Sequence, residues 1–196
     1  IGEEIARVLA VRGDVVACAD RNPFDLPAEL RGAEHSIHEV DVRSGASCDQ
    51  LISDVVATHG RVDYLVNNAG IVRRGPAATA SEQDVVEVID VNLTGAFRMS
   101  QAVYPHLRAS RGAIVNIGST NGAIAVRNSV GYCISKAGLM HLSRVLALEW
   151  AADGVRVNSV APTIVESAMT ADLLDDADYM AEKLATIPLG RMATPH

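Results

Sequence analysis

Apolar positions recur at helical spacing from the first residue. Ile1, Ile5, Val8 and Leu9 share one face, Glu3 and Glu4 stand in the first turn, and Gly13 follows as a stop. This predicts a helix over residues 1–11. The run Val15-Val16-Ala17-Cys18-Ala19 predicts a short buried strand ending at Asp20, and residues 22–34, with Pro23 and Pro27, read as irregular. Residues 36–40 read as a strand ending in Asp41-Val42. Cys48, Leu51, Ile52, Val55 and Val56 then make a helical stripe closed by Gly60. Tyr64-Leu65-Val66 is the next strand, and it runs into Asn67-Asn68-Ala69-Gly70. Ser81, with Asp84 three residues on, caps a helix that reaches toward His106. Asn92 and Gly95 inside that run predict a local kink, because an asparagine amide competes for backbone hydrogen bonds. Residues 112–117 form a central strand leading to Ser119. The helix after Gly131 runs to about Ala152 and stops at Asp153-Gly154, with Ile134, Leu142, Val145 and Leu146 on one apolar face. A last strand follows over residues 155–160, and then an acidic helical segment over residues 168–186.

Strands alternating with amphipathic helices predict a single α/β domain, a doubly wound parallel sheet with helices on both faces. Ligands in such sheets bind beyond the carboxyl ends of the strands. Asp20, Asp41, Asn68, Ser119 and Val165 all fall at or just past such ends.

Composition narrows the picture. The 196 residues suffice for one domain with a sizeable core, and 48% apolar with 21% charged residues is ordinary for a soluble protein. The formal net charge of -7 argues against nucleic-acid or anionic-membrane partners. No apolar run reaches the roughly 18 residues of a membrane helix, and no signal-peptide pattern opens the chain. Cys18, Cys48 and Cys133 form no CxxC pair, so reduced, mostly buried thiols in a cytoplasmic protein are expected. Cys133 adjoins Tyr132 and is the thiol to watch for oxidation. His35, His38, Glu39 and Asp41 lie close in sequence, but strand alternation sends His38 and Glu39 to opposite faces, and no metal site is expected.

The chemistry gathers at Tyr132-Cys133-Ile134-Ser135-Lys136. Tyr132 and Lys136 stand one helical turn apart on the same face. A free phenol with a pKa near ~10 is a poor acid/base at neutral pH, and an adjacent ammonium lowers that value. Ser119 lies thirteen residues upstream, at a strand end where a hydroxyl can donate to a carbonyl oxygen. Thr120 is its nearest rival for that role. Asn92 lies in Val-Asn-Leu-Thr-Gly.

This set, in this order, resembles the classical short-chain dehydrogenase/reductase family over essentially the whole chain. The resemblance implies a Rossmann-like fold and an NAD(P)-dependent oxidoreductase acting on an alcohol/carbonyl pair. It implies that Tyr132 is the general acid/base, that Lys136 lowers its pKa and holds the nicotinamide ribose, that Ser119 bonds the substrate oxygen, and that Asn92 holds a water linked to the lysine. The implied cofactor contacts are Gly2, Asp20, Asp41, Val42, Asn68, Ala69, Gly70, Val165 and Ser167, with Asn67 tying neighbouring strands together. Asp20, eighteen residues after Gly2, sits where a carboxylate accepts from the adenosine ribose and repels a 2′-phosphate, which favours NAD. Arg21 beside it would instead favour NADP, and Asp20 can also simply start a turn.

Ile1-Gly2 matches only the last two residues of the family's glycine-rich phosphate turn, and the family continues past Pro195-His196 with a helix and a strand. Truncation at both ends is therefore expected. Thr163 replaces the usual glycine, and Ser167 the usual threonine. The family pairs the long helix across a homodimer or homotetramer interface, with Leu139, Met140 and Trp150 as expected contacts. Asn121 and Arg127 are candidate substrate contacts, and residues 168–186 stand where the family has a substrate lid. Sugars, polyols, steroids and acyl thioesters all remain as substrates. The alternatives are an NADP-dependent 3-oxoacyl-thioester or sugar reductase, an epimerase or dehydratase, and a non-catalytic cofactor-binding or scaffold subunit.

Overall fold

Strands and helices alternate along the computed structural model, which describes residues 1–22, 24–32 and 34–195, with the side chains of Glu29 and Asp172 set aside. Pro23 and His196, both named above, and the side chain of Asp172 in the acidic segment over residues 168–186, lie outside the described residues. The order is α1 (Gly2–Val11), β1 (Ala17–Asp20), β2 (Ser36–Glu39), α2 (Gly45–His59), β3 (Tyr64–Asn67), α3 (Glu82–Ile89), a π-helical stretch (Asp90–Gly95), α4 (Ala96–Ser110), β4 (Ala113–Ile117), α5 (Val130–Glu149), β5 (Arg156–Val160), α6 (Ala171–Leu174) and α7 (Ala177–Ala185). Every strand pairing is parallel: β1 with β2, and β4 between β3 and β5. This is an α/β, Rossmann-like fold. Among the described residues the ladders form two sheets. The strand predicted as buried at residues 15–19 is in fact β1, with no fully buried member, because only β2 pairs with it.

Local chemistry accounts for the helix ends. Ser44 Oγ accepts from Ser47 N at the start of α2, and Gly60 closes that helix at φ 79°, a left-handed conformation. Ser81 Oγ accepts from Asp84 N at 3.0 Å and starts α3. The local irregularity expected at Asn92 is a π-helical stretch, which joins α3 to α4 directly. The predicted acidic helix is two helices, because the Asp176 carboxylate accepts from Tyr179 N at 2.9 Å and starts α7 afresh. The core joins Cys48, Leu51, Ile52 and Val55 of α2 to Met99, Val103 and Leu107 of α4, over Ile114 of β4 and Val157 of β5. Each such aliphatic side chain contributes roughly 1.5–3 kcal/mol on burial.

The long helix buries a different face from the one its apolar residues mark. The buried stripe is Gly131, Ser135, Lys136, Leu139, Ser143 and Leu146. Ile134 and Val145 are exposed. Of the expected interface residues, Leu139 is 1% exposed and packed inside its own subunit. Trp150 stacks on Tyr104 with ring centroids 4.5 Å apart. The apolar side chains that α5 does present outward are Ile134, Val145 and Leu148. Of the three thiols only Cys48 is buried; Cys18 and Cys133 are half-buried.

Candidate active site

A buried polar relay fixes the ends of β3 and β4. Asn67 Nδ2 donates to Asn116 Oδ1 at 2.8 Å across the ladder and to Ser100 Oγ of α4 at 3.2 Å. Asn116 Nδ2 donates to Ser143 Oγ of α5 at 2.9 Å, and Ser143 Oγ donates to Leu139 O. Asn67 thus ties the strands together as expected. The relay also pins α4 and α5 against the same strand pair, at a cost only full hydrogen bonding offsets.

Beyond these strand ends the predicted catalytic residues come together. Tyr132 lies in the first turn of α5, and Ser119, two residues past β4, stands beside its phenol and draws its pKa down. Ser119 is itself placed by a short 3-10 turn, Thr120–Gly122, which it caps by accepting from Asn121 N at 3.2 Å. Lys136 Nζ stands 5.7 Å from the Tyr132 ring centroid and donates to Ile117 O at 2.7 Å. A Cβ built on Gly70 would lie 3.3 Å from Asn92 Oδ1 and 3.5 Å from Lys136 Nζ, so the loop after β3 meets Asn92 and Lys136 at one point.

Two of the expected residues, Lys136 and Asn92, are held by local partners. Burial pushes the Tyr132 phenol above its ordinary value, and the Ser119 hydrogen bond and the Arg74 charge pull it only part of the way back. Lys136 turns its ammonium to the Ile117 carbonyl, and burial depresses it to about 8. The Asn92 carboxamide, 1% exposed, is committed to protein groups. Its Oδ1 accepts from Ile71 N at 2.8 Å, and its Nδ2 donates to Ile71 O at 2.9 Å and to Ser135 Oγ at 3.0 Å. It clamps the loop after β3 to α5.

The expected cofactor contacts line the carboxyl ends of the strands. Asp20 ends β1, exposed, and its Oδ1 accepts from Asn22 N at 2.9 Å, the turn its residue type also allowed. Asp41 is held by Arg43, with Nη2 to Oδ2 at 2.6 Å, and this pairing pulls its carboxyl down to about 2. Val42 packs against Gly95, where a Cβ would lie 2.7 Å from Val42 Cγ2. Gly2 meets Asn68 so closely that a Cβ would come to 2.5 Å of its amide nitrogen, which brings the α1 N-terminus to the end of β3. Ala69 and Gly70 follow in the same loop. Val165 is buried and bridges Ala193. Ser167 N and Oγ both lie 3.1 Å from Thr170 Oγ1, in a local turn. Ser167 also lines a cleft of ≈ 530 Å³ with Glu166, Ala168, Ala171, Leu174, Thr194 and Pro195.

Two residues escaped the sequence reading. A Cβ on Gly122 would lie 2.7–2.9 Å from the backbone of Lys136 and Ala137, so only glycine lets the turn after Ser119 rest on α5. Arg74 sends Nη2 to Met169 O at 3.1 Å, across 95 residues of sequence, while its charge reaches Tyr132. The signal for Gly122 was a glycine three residues past the strand-end serine. The signal for Arg74 was the basic pair Arg73-Arg74 just past a strand end.

Comparison with known proteins agrees with this geometry. Residues 1–178 match the family model described as short chain dehydrogenase. The chain is 40% identical to the D-threitol dehydrogenase of Mycolicibacterium smegmatis over all of this chain and 77% of that protein. It is 35% identical to the 3-oxoacyl-(acyl-carrier-protein) reductase of Thermotoga maritima, over all of this chain and 81% of that one. The crystal structure of a gluconate 5-dehydrogenase from Burkholderia cenocepacia, in complex with NADP and tartrate, superposes with a TM-score of 0.92 at 31% identity, covering 98% of this chain and 78% of that one. These relatives are dehydrogenases and reductases of CH–OH groups. The chain belongs to the short-chain dehydrogenase/reductase family and is an oxidoreductase.

Proposed function

We propose that the protein interconverts a secondary alcohol and a ketone with NAD(H), using Tyr132 as the general acid/base. The observation that carries this reading is the meeting of Tyr132, Ser119, Lys136 and Asn92 beyond the carboxyl ends of a parallel sheet. The residues present fit a nicotinamide nucleotide. The exposed Asp20 carboxylate suits ribose hydroxyls, Asp41 and Val42 suit the adenine, and the side-chain-free surface of Gly70 lets a ligand approach Asn92 and Lys136. Gly2, Asn68, Ala69, Val165 and Ser167 would complete its contacts. Such a nucleotide, when bound, supplies the hydride donor or acceptor.

The chain's own residues handle the proton and the oxygen. In the oxidative direction Tyr132 takes the hydroxyl proton of the substrate, and in reduction it returns one. Ser119 donates to the substrate oxygen as carbonyl character develops. Lys136 would hold the nicotinamide ribose, and it presents a positive charge near Tyr132. Asn92 holds the Ile71 loop and α5 in register around them. Binding of NAD over NADP rests on the Asp20 carboxylate; Arg21 is its counterweight.

The relatives support a polyol or sugar-derived substrate, and the 3-oxoacyl reductase supports a second reading, the same chemistry run as an NADP-dependent reduction. The exposed Ile134, Val145 and Leu148 of α5 support assembly as a homodimer or homotetramer. A cytoplasmic site of action accords with this reading, and no described helix is long and apolar enough to cross a membrane. The test is nucleotide absorbance at 340 nm with a panel of polyols, sugar acids and ketones, each with NAD(H) and NADP(H). NAD-linked turnover of secondary alcohols is expected. Absence of turnover with every alcohol and ketone, despite nucleotide binding, overturns the reading.

A further inference from the structure

The backbone carbonyl of Val42 is held from two sides. Arg98, in the first turn of α4, donates from Nη1 to Val42 O at 3.3 Å, and Cys48 Sγ of α2 lies 3.9 Å from the same oxygen. The same Arg98 nitrogen donates to Asp90 Oδ1 at 2.8 Å. Such a nitrogen carries two hydrogens, and here one goes to each oxygen. Asp90 opens the π-helical stretch and Gly95 closes it. Gly95 fixes Val42 independently: a Cβ there would lie 2.7 Å from Val42 Cγ2 and 3.2 Å from Val42 O, so the absence of a side chain lets the stretch rest on that residue. The Asp90 charge also reaches Arg43, which holds the Asp41 carboxylate. These contacts converge on Asp41-Val42, just past the end of β2.

Arg98 and Asp90 are half-buried, and an ion pair of that exposure contributes little to stability. Its consequence lies in what it holds. Among the described residues β2 has one ladder partner, β1, so strand pairing fixes the Asp41-Val42 turn from one side only. Arg98 supplies a fix from the other side, through the backbone rather than through a side chain. The same π-helical stretch carries Asn92, which clamps the Ile71 loop to α5. One continuous segment therefore bears both the seat of Val42 and the clamp on the helix of Tyr132 and Lys136.

We propose that Arg98 is a positioning residue for nucleotide binding: with Asp90 it holds the Val42 carbonyl on the π-helical stretch, and so fixes the Asp41-Val42 turn that receives the adenine. This rests on the NAD(H) reading above and adds to it a residue that acts through Val42. A turn held in its binding geometry before the ligand arrives loses less freedom on binding, so the effect falls on affinity rather than on the chemical step.

The experiment measures the Kd of NADH and of ADP-ribose, with kcat at saturating nucleotide, in the wild type and in Arg98→Gln, Arg98→Lys, Asp90→Asn and Arg108→Gln. Arg98→Gln should weaken NADH and ADP-ribose alike, about tenfold, with kcat within about twofold of wild type. ADP-ribose has the adenine and lacks the nicotinamide, so an equal loss on both assigns the effect to the adenine half, and a general loosening of the fold would lower kcat as well. Arg98→Lys keeps a charge and a donor and should recover part of the affinity. Asp90→Asn is a milder change that keeps an acceptor oxygen, and it should weaken both ligands about threefold. Arg108 pairs with Asp153 at 2.9 Å further along α4, so Arg108→Gln removes an ion pair from the same helix and should leave both constants within about twofold. Unchanged constants in Arg98→Gln and Asp90→Asn, or a loss confined to kcat, overturn the proposal and leave the NAD(H) reading intact. A wild type that binds no NADH overturns that reading, and this proposal with it.

Discussion

Lys136 Nζ donates to the carbonyl oxygen of Ile117 at 2.7 Å, buried at the end of β4. The lysine that serves the site is thereby a load on the fold. Burial depresses its folded pKa to about 8, below the 10.5 of the free group. Below pH 8 it is protonated in both states, and the burial penalty is fully present. Between about 8 and 10.5 the unfolded chain binds more protons, so stability rises with pH. Urea unfolding of wild type and Lys136→Met at pH 7 and pH 10 should show the wild type gaining roughly 2–3 kcal/mol relative to the variant at the higher pH. An equal difference at both values contradicts this account of the lysine.

The Ser119 hydrogen bond draws the Tyr132 phenol down against the upward push of burial. Removing it leaves burial less opposed. Ser119→Ala should therefore shift the rising limb of the alcohol-oxidation pH profile to higher pH, and lower kcat/KM about 100-fold through loss of the donor to the substrate oxygen. A pH–rate series on both proteins checks both effects.

Gly122→Ala puts a methyl carbon 2.7–2.9 Å from backbone atoms of Lys136 and Ala137, which have no side-chain freedom with which to yield. The 3-10 turn must lift from α5, and Ser119 with it. A stability loss of about 1–3 kcal/mol is expected, with a fall in kcat larger than any change in nucleotide affinity. Thermal unfolding and nucleotide titration separate the two.

Asp20 stands exposed at the end of β1 with one carboxylate oxygen on Asn22 N. Its charge should exclude a 2′-phosphate. Asp20→Ala should lower the NAD-to-NADP ratio of kcat/KM at least about tenfold, measured with one substrate and both nucleotides. An unchanged ratio would leave Asp20 as a turn former only.

How far the sequence reaches depends on which force places each part. The strand order of chemistry, Asp20, Asp41, Asn68, Ser119 and Val165 at carboxyl ends, was legible because apolar runs and strand-end residues carry it. Gly60 and Ser81 announced their helix ends for the same local reason. The buried face of α5 was not legible, since the stripe that packs inward is made of glycine, serines and a lysine as well as leucines. Small and hydrogen-bonded polar groups pack closely there, and hydropathy does not register them. The Tyr132–Lys136 spacing was right, but spacing alone does not show that a backbone carbonyl captures the ammonium. Asn92 was found for its residue type and missed for its partners, because Ile71 reaches it only through the fold. Arg74 meets Met169 by the same kind of long-range closure.

The account turns on Tyr132. Its most direct test is turnover by Tyr132→Phe, with nucleotide binding measured on the same protein. Phenylalanine keeps the ring in place and removes only the hydroxyl that meets Ser119. The expected result is a loss of at least about 1,000-fold in kcat with nucleotide affinity within a few-fold of wild type. A Tyr132→Phe protein that keeps wild-type turnover would contradict the assignment of the acid/base to this residue.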